Sequence, residues 1–150
     1  MNSMPAYLDA GFLLTVIIPT KGSPIANKLL RELGAPFGLN FLHQIQLENL
    51  LATLQKSQEV QRQRMGNEGQ RLWRHYFSEG VFQLFPTDWD SGFRIALTWN
   101  SHHPSTPPPF LLLIHAALAS VAGASEFLSF DPRSRETARS AGMKILPENL

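Results

Sequence analysis

The chain has no cysteine, which excludes disulfides and thiolate metal sites and suits a reducing compartment. It also lacks an excess of either charge. At a formal net charge of +1 there is no global field toward nucleic acid or membrane, so attraction for a polyanion must come from a local patch. Long apolar runs are missing too. Phe12–Ile18 and Phe110–Ala119 both fall short of the roughly 20 residues that a span needs, and no basic segment precedes the first of them. No glycine-rich phosphate loop follows the first apolar run, which leaves nucleotide binding through that motif unsupported. The expectation is a soluble, cytoplasmic protein with no membrane association.

What is present fits one ordinary domain spanning residues 1–150, and the 43% hydrophobic content is enough to build a core. Ala6-Tyr7-Leu8-Asp9 and Glu126–Asp131 read as buried strands, each closed by an aspartate. Pro19 stops a helix begun near Gly11, and Ser23-Pro24 starts another that ends at Gly34, with Ser23 as its cap. Asn40 caps a third helix. Ser57–Ser78, polar and rich in Gln and Arg, reads as a long surface helix, either continuous or broken near Gly66 and Gly69. Val81–Phe85 alternates as a strand, and Asp88 opens the next helix. After a proline-rich loop to Pro109 come an apolar helix from Phe110 to Ala122, a helix over Pro132–Ser140 and a last strand, Met143–Leu146. Strands alternating with helices argue an α/β fold with a parallel sheet.

In such a sheet ligands bind beyond the carboxyl ends of the strands, where Asp9 and Asp131 would lie together. Glu48 is a third acid, set among Leu42, Ile45, Leu47 and Leu50, and a carboxylate in apolar surroundings must be solvated, paired or bound to a cation. Oxygen donors would favour magnesium or manganese. Each acid has an ordinary alternative: Asp9 and Asp131 as turn or cap residues, Glu48 as the partner of an arginine. Arg62, Arg64, Arg71 and Arg74 form one basic group, and Arg133, Arg135 and Arg139 another. Such groups cradle RNA phosphates or are simply solvated helix faces. Trp73, Tyr76, Phe77, Trp89 and Trp99 are candidates for base stacking or, at helical spacing, for core and interface packing.

Taken in order, Tyr7-Leu-Asp-Ala-Gly-Phe-Leu-Leu14, Leu42-His-Gln-Ile-Gln-Leu-Glu-Asn-Leu-Leu51, Leu113-Ile-His-Ala-Ala-Leu-Ala119, Glu126-Phe-Leu-Ser-Phe-Asp131 and Ala141–Pro147 resemble a PIN domain of the VapC toxin type, over nearly the whole chain. The resemblance implies a three-layer α/β/α sandwich with a mainly parallel central sheet. It implies a ribonuclease dependent on Mg2+ or Mn2+, with Asp9, Glu48 and Asp131 as metal-holding and catalytic acids. It further implies RNA as substrate, an antitoxin protein as partner and a homodimer, and the arginine group after Asp131 then offers Arg133 and Arg135 as contacts to the nucleic acid.

The chain departs from the family pattern at three points, the first being Ala10-Gly11 where a small polar residue is expected immediately after the first aspartate. An aspartate is expected three residues before His115, where Leu112 stands, and Pro107-Pro108-Pro109-Phe110 replaces the polar approach to that helix. Leucine neither binds a cation nor accepts a hydrogen bond. Impaired cleavage is therefore the expectation, and a catalytically degenerate protein that binds RNA or an antitoxin is the alternative.

Overall fold

Short apolar runs become strands near both ends of the chain, as expected, and each is followed by a helix. The computed structural model describes residues 4–150. In chain order these form β1 (Ala6–Leu8), α1 (Ala10–Ile17), α2 (Ser23–Leu33), β2 (Phe37–Leu39) and α3 (Phe41–Gln55). Then follow α4 (Val60–Ser78), β3 (Phe82–Leu84), α5 (Trp89–Ser101), α6 (Phe110–Val121), β4 (Glu126–Leu128), α7 (Pro132–Ser140) and β5 (Lys144–Leu146). This is an α/β fold with parallel sheets. The strands are divided between a three-stranded sheet ordered β1-β4-β5 and a two-stranded sheet, β2-β3. Two compact units result, one from the chain up to Gly11 together with Pro86–Leu150, the other from Phe12–Phe85.

In the first unit β4 is the central strand, paired with β1 through Leu8↔Leu128 and with β5 through Leu128↔Leu146. Tyr7, Leu8, Phe127 and Leu128 are buried, and the Tyr7 and Phe127 rings stack at 5.9 Å. Strands so short earn their place through this burial on both faces rather than through propensity. Helix α6 is buried from Leu113 to Ala119 and packs on α5, where Gly92 faces Leu118. A Cβ on Gly92 would lie 2.4 Å from Leu118 Cδ2, so glycine there leaves the space that the Leu118 side chain fills between the two helices. Asp88 caps α5 as expected, its side chain accepting from the Ser91 amide at 3.0 Å.

The second unit is organised by α3 packed on α4. Asn40 caps α3, its Oδ1 accepting from the Leu42 and His43 amides, while His43 Nδ1 accepts from the Asn40 amide at 3.1 Å and completes a capping box. Helix α4 is continuous, and it differs from the sequence reading in that Gly66 and Gly69 are buried against neighbouring elements rather than lying on a surface helix. A Cβ on Gly66 would sit 2.7 Å from the Gln55 amide nitrogen, and one on Gly69 would sit 2.7 Å from Leu51 Cδ2. Gly66 lets the two helix backbones come together and Gly69 makes room for the Leu51 and Ile18 side chains, packing that outweighs their poor helix propensity.

Ser23 is a further correction. Gly22 is the residue before α2, and the Ser23 hydroxyl donates instead to the Thr15 carbonyl at 2.6 Å, tying the end of α1 to the start of α2. Pro24 does occupy the first turn of α2. Strand β2, which the sequence reading did not anticipate, pairs with β3 through Gly38↔Gln83. Trp73, Tyr76, Phe77 and Phe82 form an aromatic cluster, with Trp73 against Phe77 at 4.5 Å and Tyr76 against Phe82 at 5.5 Å. Trp73 is thus a core residue and not a platform for bases.

Candidate functional site

The parallel pairing of β1 with β4 decides where two of the three acids go. With Leu8 opposite Leu128, the next residue on each strand lies at the same carboxyl edge, and the Asp9 amide donates to the Leu128 carbonyl at 3.1 Å. Asp9 therefore ends β1 beside Ser129, and it is only 3% exposed. Ser129, buried after β4, has its hydroxyl oxygen accept from the Asp131 amide at 3.1 Å, and its own amide donates to the Leu146 carbonyl. Asp9 and Asp131 thus follow adjacent strands at one sheet edge, the placement that the sequence pattern implies.

The Asp131 carboxylate is already engaged. It is the N-cap of α7: Oδ1 accepts from the Arg133 amide at 2.8 Å and the Ser134 amide at 3.1 Å, while Oδ2 pairs with Arg133 Nη2 at 3.3 Å. Pro132 in the first helical turn completes this start signal. Partial burial pushes the Asp131 carboxyl upward, but the Ser134 amide and then the Arg133 guanidinium and amide outweigh it and hold the group below the usual carboxylate range.

Arg135 does different work from Arg133. It is 8% exposed, with Nη1 donating to the Ser129 carbonyl at 2.9 Å and Nη2 to the Pro147 carbonyl at 2.8 Å. The guanidinium fork clasps the chain leaving β4 to the chain leaving β5, and burial followed by the nearby Arg139 charge lowers its pKa. Of the two arginines expected near nucleic acid, Arg133 is solvent-exposed and Arg135 is spent on the backbone of this edge. Arg139 pairs with Glu136 at 2.8 Å.

Leu112 lies half-buried in the first turn of α6, its amide bonded to the Pro109 carbonyl, and offers no oxygen donor. One turn on, His115 is buried and hydrogen-bonded through Nδ1 to the Tyr7 hydroxyl at 2.8 Å, a core role rather than an exposed catalytic one.

Glu48 belongs to the second unit. The sequence placed it among apolar neighbours, but α3 turns it outward: it is exposed, and its Oε1 accepts from Gln44 Nε2 at 3.1 Å and, at a long 3.4 Å, from Trp73 Nε1. Its apolar neighbour Leu47 points inward instead. Gln44, Glu48, Trp73, Arg74, Phe77 and Leu84 line an open cleft of about 680 Å³. Gln44 Oε1 is buried there without a hydrogen-bond partner. Neither this cleft nor the indole contact was anticipated, although the four-residue step from Gln44 to Glu48 on one helix was readable.

Among the described residues no three His, Asp or Glu side chains gather into a group able to hold a metal ion. No helix among them is long and apolar enough to cross a membrane. Comparison with known protein families and with curated proteins yields no match.

Proposed function

We propose that the chain is a PIN-like protein of the metal-dependent ribonuclease class, of the VapC toxin type, whose cleavage chemistry is impaired. The observation that supports the class is the pairing of β1 with β4, which puts Asp9 and Asp131 at the same carboxyl edge in the order the resemblance requires. Magnesium and manganese take oxygen donors in near-octahedral geometry. Asp9 and Asp131 are donors of that kind, but Leu112 supplies none, and both Asp131 oxygens already serve α7 and Arg133. The residues present do not make a complete site for the ion, which is why the chemistry is read as impaired. RNA is the polymer such a site would engage, with exposed Arg133 beside it as a phosphate contact.

Manganese titration by calorimetry tests this reading on the wild type, on Leu112→Asp, and on Leu112→Asp combined with Asp9→Asn. Weak or no binding by the wild type, clear binding by Leu112→Asp and its loss in the double variant are expected, with RNA cleavage following the same order. Leu112→Asp binding no more manganese than the wild type would sink the proposal.

A second reading, a degenerate protein that binds RNA or an antitoxin-like partner without cutting, is favoured by the commitment of the Asp131 carboxylate to α7. Under that reading Leu112→Asp gains an ion and still leaves RNA intact at high protein concentration.

A further inference from the structure

Gln44 on α3 is held in an orientation that leaves one of its own atoms unsatisfied. Its Nε2 donates to Glu48 Oε1 at 3.1 Å, while its Oε1 is buried without a hydrogen-bond partner. Turning the amide over would set an acceptor against the carboxylate, so the orphaned oxygen is the consequence of keeping a donor on Glu48. A buried polar atom left unmatched is rare enough to require a reason. Trp73 Nε1, on α4, approaches the same Glu48 oxygen at 3.4 Å. Donors from two helices thus orient an exposed carboxylate through Oε1, and Oε2 has no partner among the described residues.

The cleft that Glu48 lines has a volume of about 680 Å³, within the range of small-molecule sites. Arg74 of α4 lines it too and is exposed, and neither Arg74 nor Glu48 has a salt-bridge partner among the described residues. Phe77 and the 48% exposed Leu84 give the same cleft apolar surface. An unpaired anion on one helix and an unpaired cation on the helix packed against it match a ligand of the reversed pattern, with an aliphatic stem between its charges. A divalent metal fits poorly, because Glu48 is the one carboxylate among the lining residues and Arg74 adds positive charge. A guanidinium fits better: it is planar, weakly hydrated and at ease beside aromatic rings.

We infer that this cleft between α3 and α4 binds a small zwitterion of the ω-guanidino acid class. Its guanidinium donates to Glu48 Oε2, its stem lies on Phe77 and Leu84, and its carboxylate pairs with Arg74. The site lies wholly within the second unit, and the inference is independent of RNA cleavage and of any metal.

Titration of γ-guanidinobutyrate into the isotope-labelled full chain, followed through the indole N–H resonances by NMR, tests it. The Trp73 resonance should move and saturate, with a dissociation constant on the order of a millimolar for a ligand of this size in an open cleft. Trp89 and Trp99, in the first unit, should stay in place. A Trp73 resonance unmoved at ~20 mM ligand, or three indole resonances drifting together without saturation, overturns the proposal. Butylguanidinium lacks the carboxylate and pentanoate lacks the guanidinium, and each should bind about fivefold or more weakly. Equal binding of either overturns the contact assigned to the missing end. Glu48→Gln should weaken γ-guanidinobutyrate about three- to tenfold with unchanged far-ultraviolet circular dichroism. Arg74→Met should weaken it about two- to fivefold while leaving butylguanidinium unaffected. If both variants fold and neither weakens binding, the proposal fails, and should one fail to fold, the other decides.

Discussion

Tyr7 of β1 and His115 of α6 meet inside the first unit through a 2.8 Å hydrogen bond between the phenol oxygen and Nδ1. Both side chains are fully buried, so the polar ends must answer each other where water is excluded. Tyr7→Phe keeps the ring stacked on Phe127 and removes only the hydroxyl, taking that bond away from a buried ring nitrogen. The expected cost is about 1–3 kcal/mol of folding stability, read from the urea midpoint at constant slope. A change of only a few tenths would mean that the bond is structurally incidental.

Gly66→Ala separates two views of α4 by the sign of the effect. On a solvent-facing helix, replacing glycine by alanine gains up to about 1 kcal/mol of helix propensity. Here the new Cβ would sit 2.7 Å from the Gln55 amide nitrogen and 2.8 Å from Leu54 Cβ, atoms that move only with the backbone of α3. Overpacking of this kind costs about 1–3 kcal/mol, so net destabilisation is expected in thermal or urea unfolding. Stabilisation would show that the α3–α4 contact is looser than described.

The same glycines mark the limit of what the sequence discloses. Caps at Asn40 and Asp88 were legible because the side chain and the amides it serves lie within three residues of each other. Strands β1 and β4 were legible as well, since short apolar runs closed by turn residues carry their own signal, but β4 ends at Leu128, and Asp131, read as its last residue, caps α7 instead. Strand β2 was not: it has three residues with glycine in the middle, and it is a strand only because Gly38 meets Gln83, far along the chain. The exposure of Glu48 depends on how α3 is turned about its axis, a matter of which neighbouring side chains are buried instead. Arg135 looked like one cation among several, and its burial follows from where β4 and β5 end. Among the acids, the pattern located the residues but could not reveal that the Asp131 oxygens are already occupied.

Arg135→Lys is the sharper test of the clasp at this sheet edge. Lysine keeps the charge but has one ammonium in place of the planar fork that serves the Ser129 and Pro147 carbonyls together. Losing one charge-assisted bond in a largely buried setting should cost about 1.5–3 kcal/mol. Amide hydrogen exchange should show the loss concentrated at Ser129, whose amide bonds to the Leu146 carbonyl, and at β5. Uniform loss of protection across the first unit would instead indicate global weakening without a local clasp.

The Asp131 cap makes a prediction about pH whose sign is fixed by the direction of its shift. Two amides and the Arg133 guanidinium hold the folded carboxyl below its ordinary value, against the upward push of partial burial. A group depressed on folding contributes stability that is fully present above its unfolded pKa, about 3.9 for aspartate. That stability is lost as pH falls through the lower, folded value. Asp131→Asn retains an oxygen that can accept from the Arg133 and Ser134 amides but has no charge to lose. At pH 6 the wild type should be the more stable, and because the side chain is 31% exposed, solvent screening keeps the difference to less than about 1 kcal/mol. Urea midpoints measured downward from pH 6 should converge below about pH 4. A gap that stays constant over that range would mean the asparagine differs in packing rather than in charge. Asp131→Ala, which removes the cap itself, should cost about 0.5–2 kcal/mol, a cost that includes the charge-linked part and persists in part at low pH, where the neutral carboxyl can still accept from the amides.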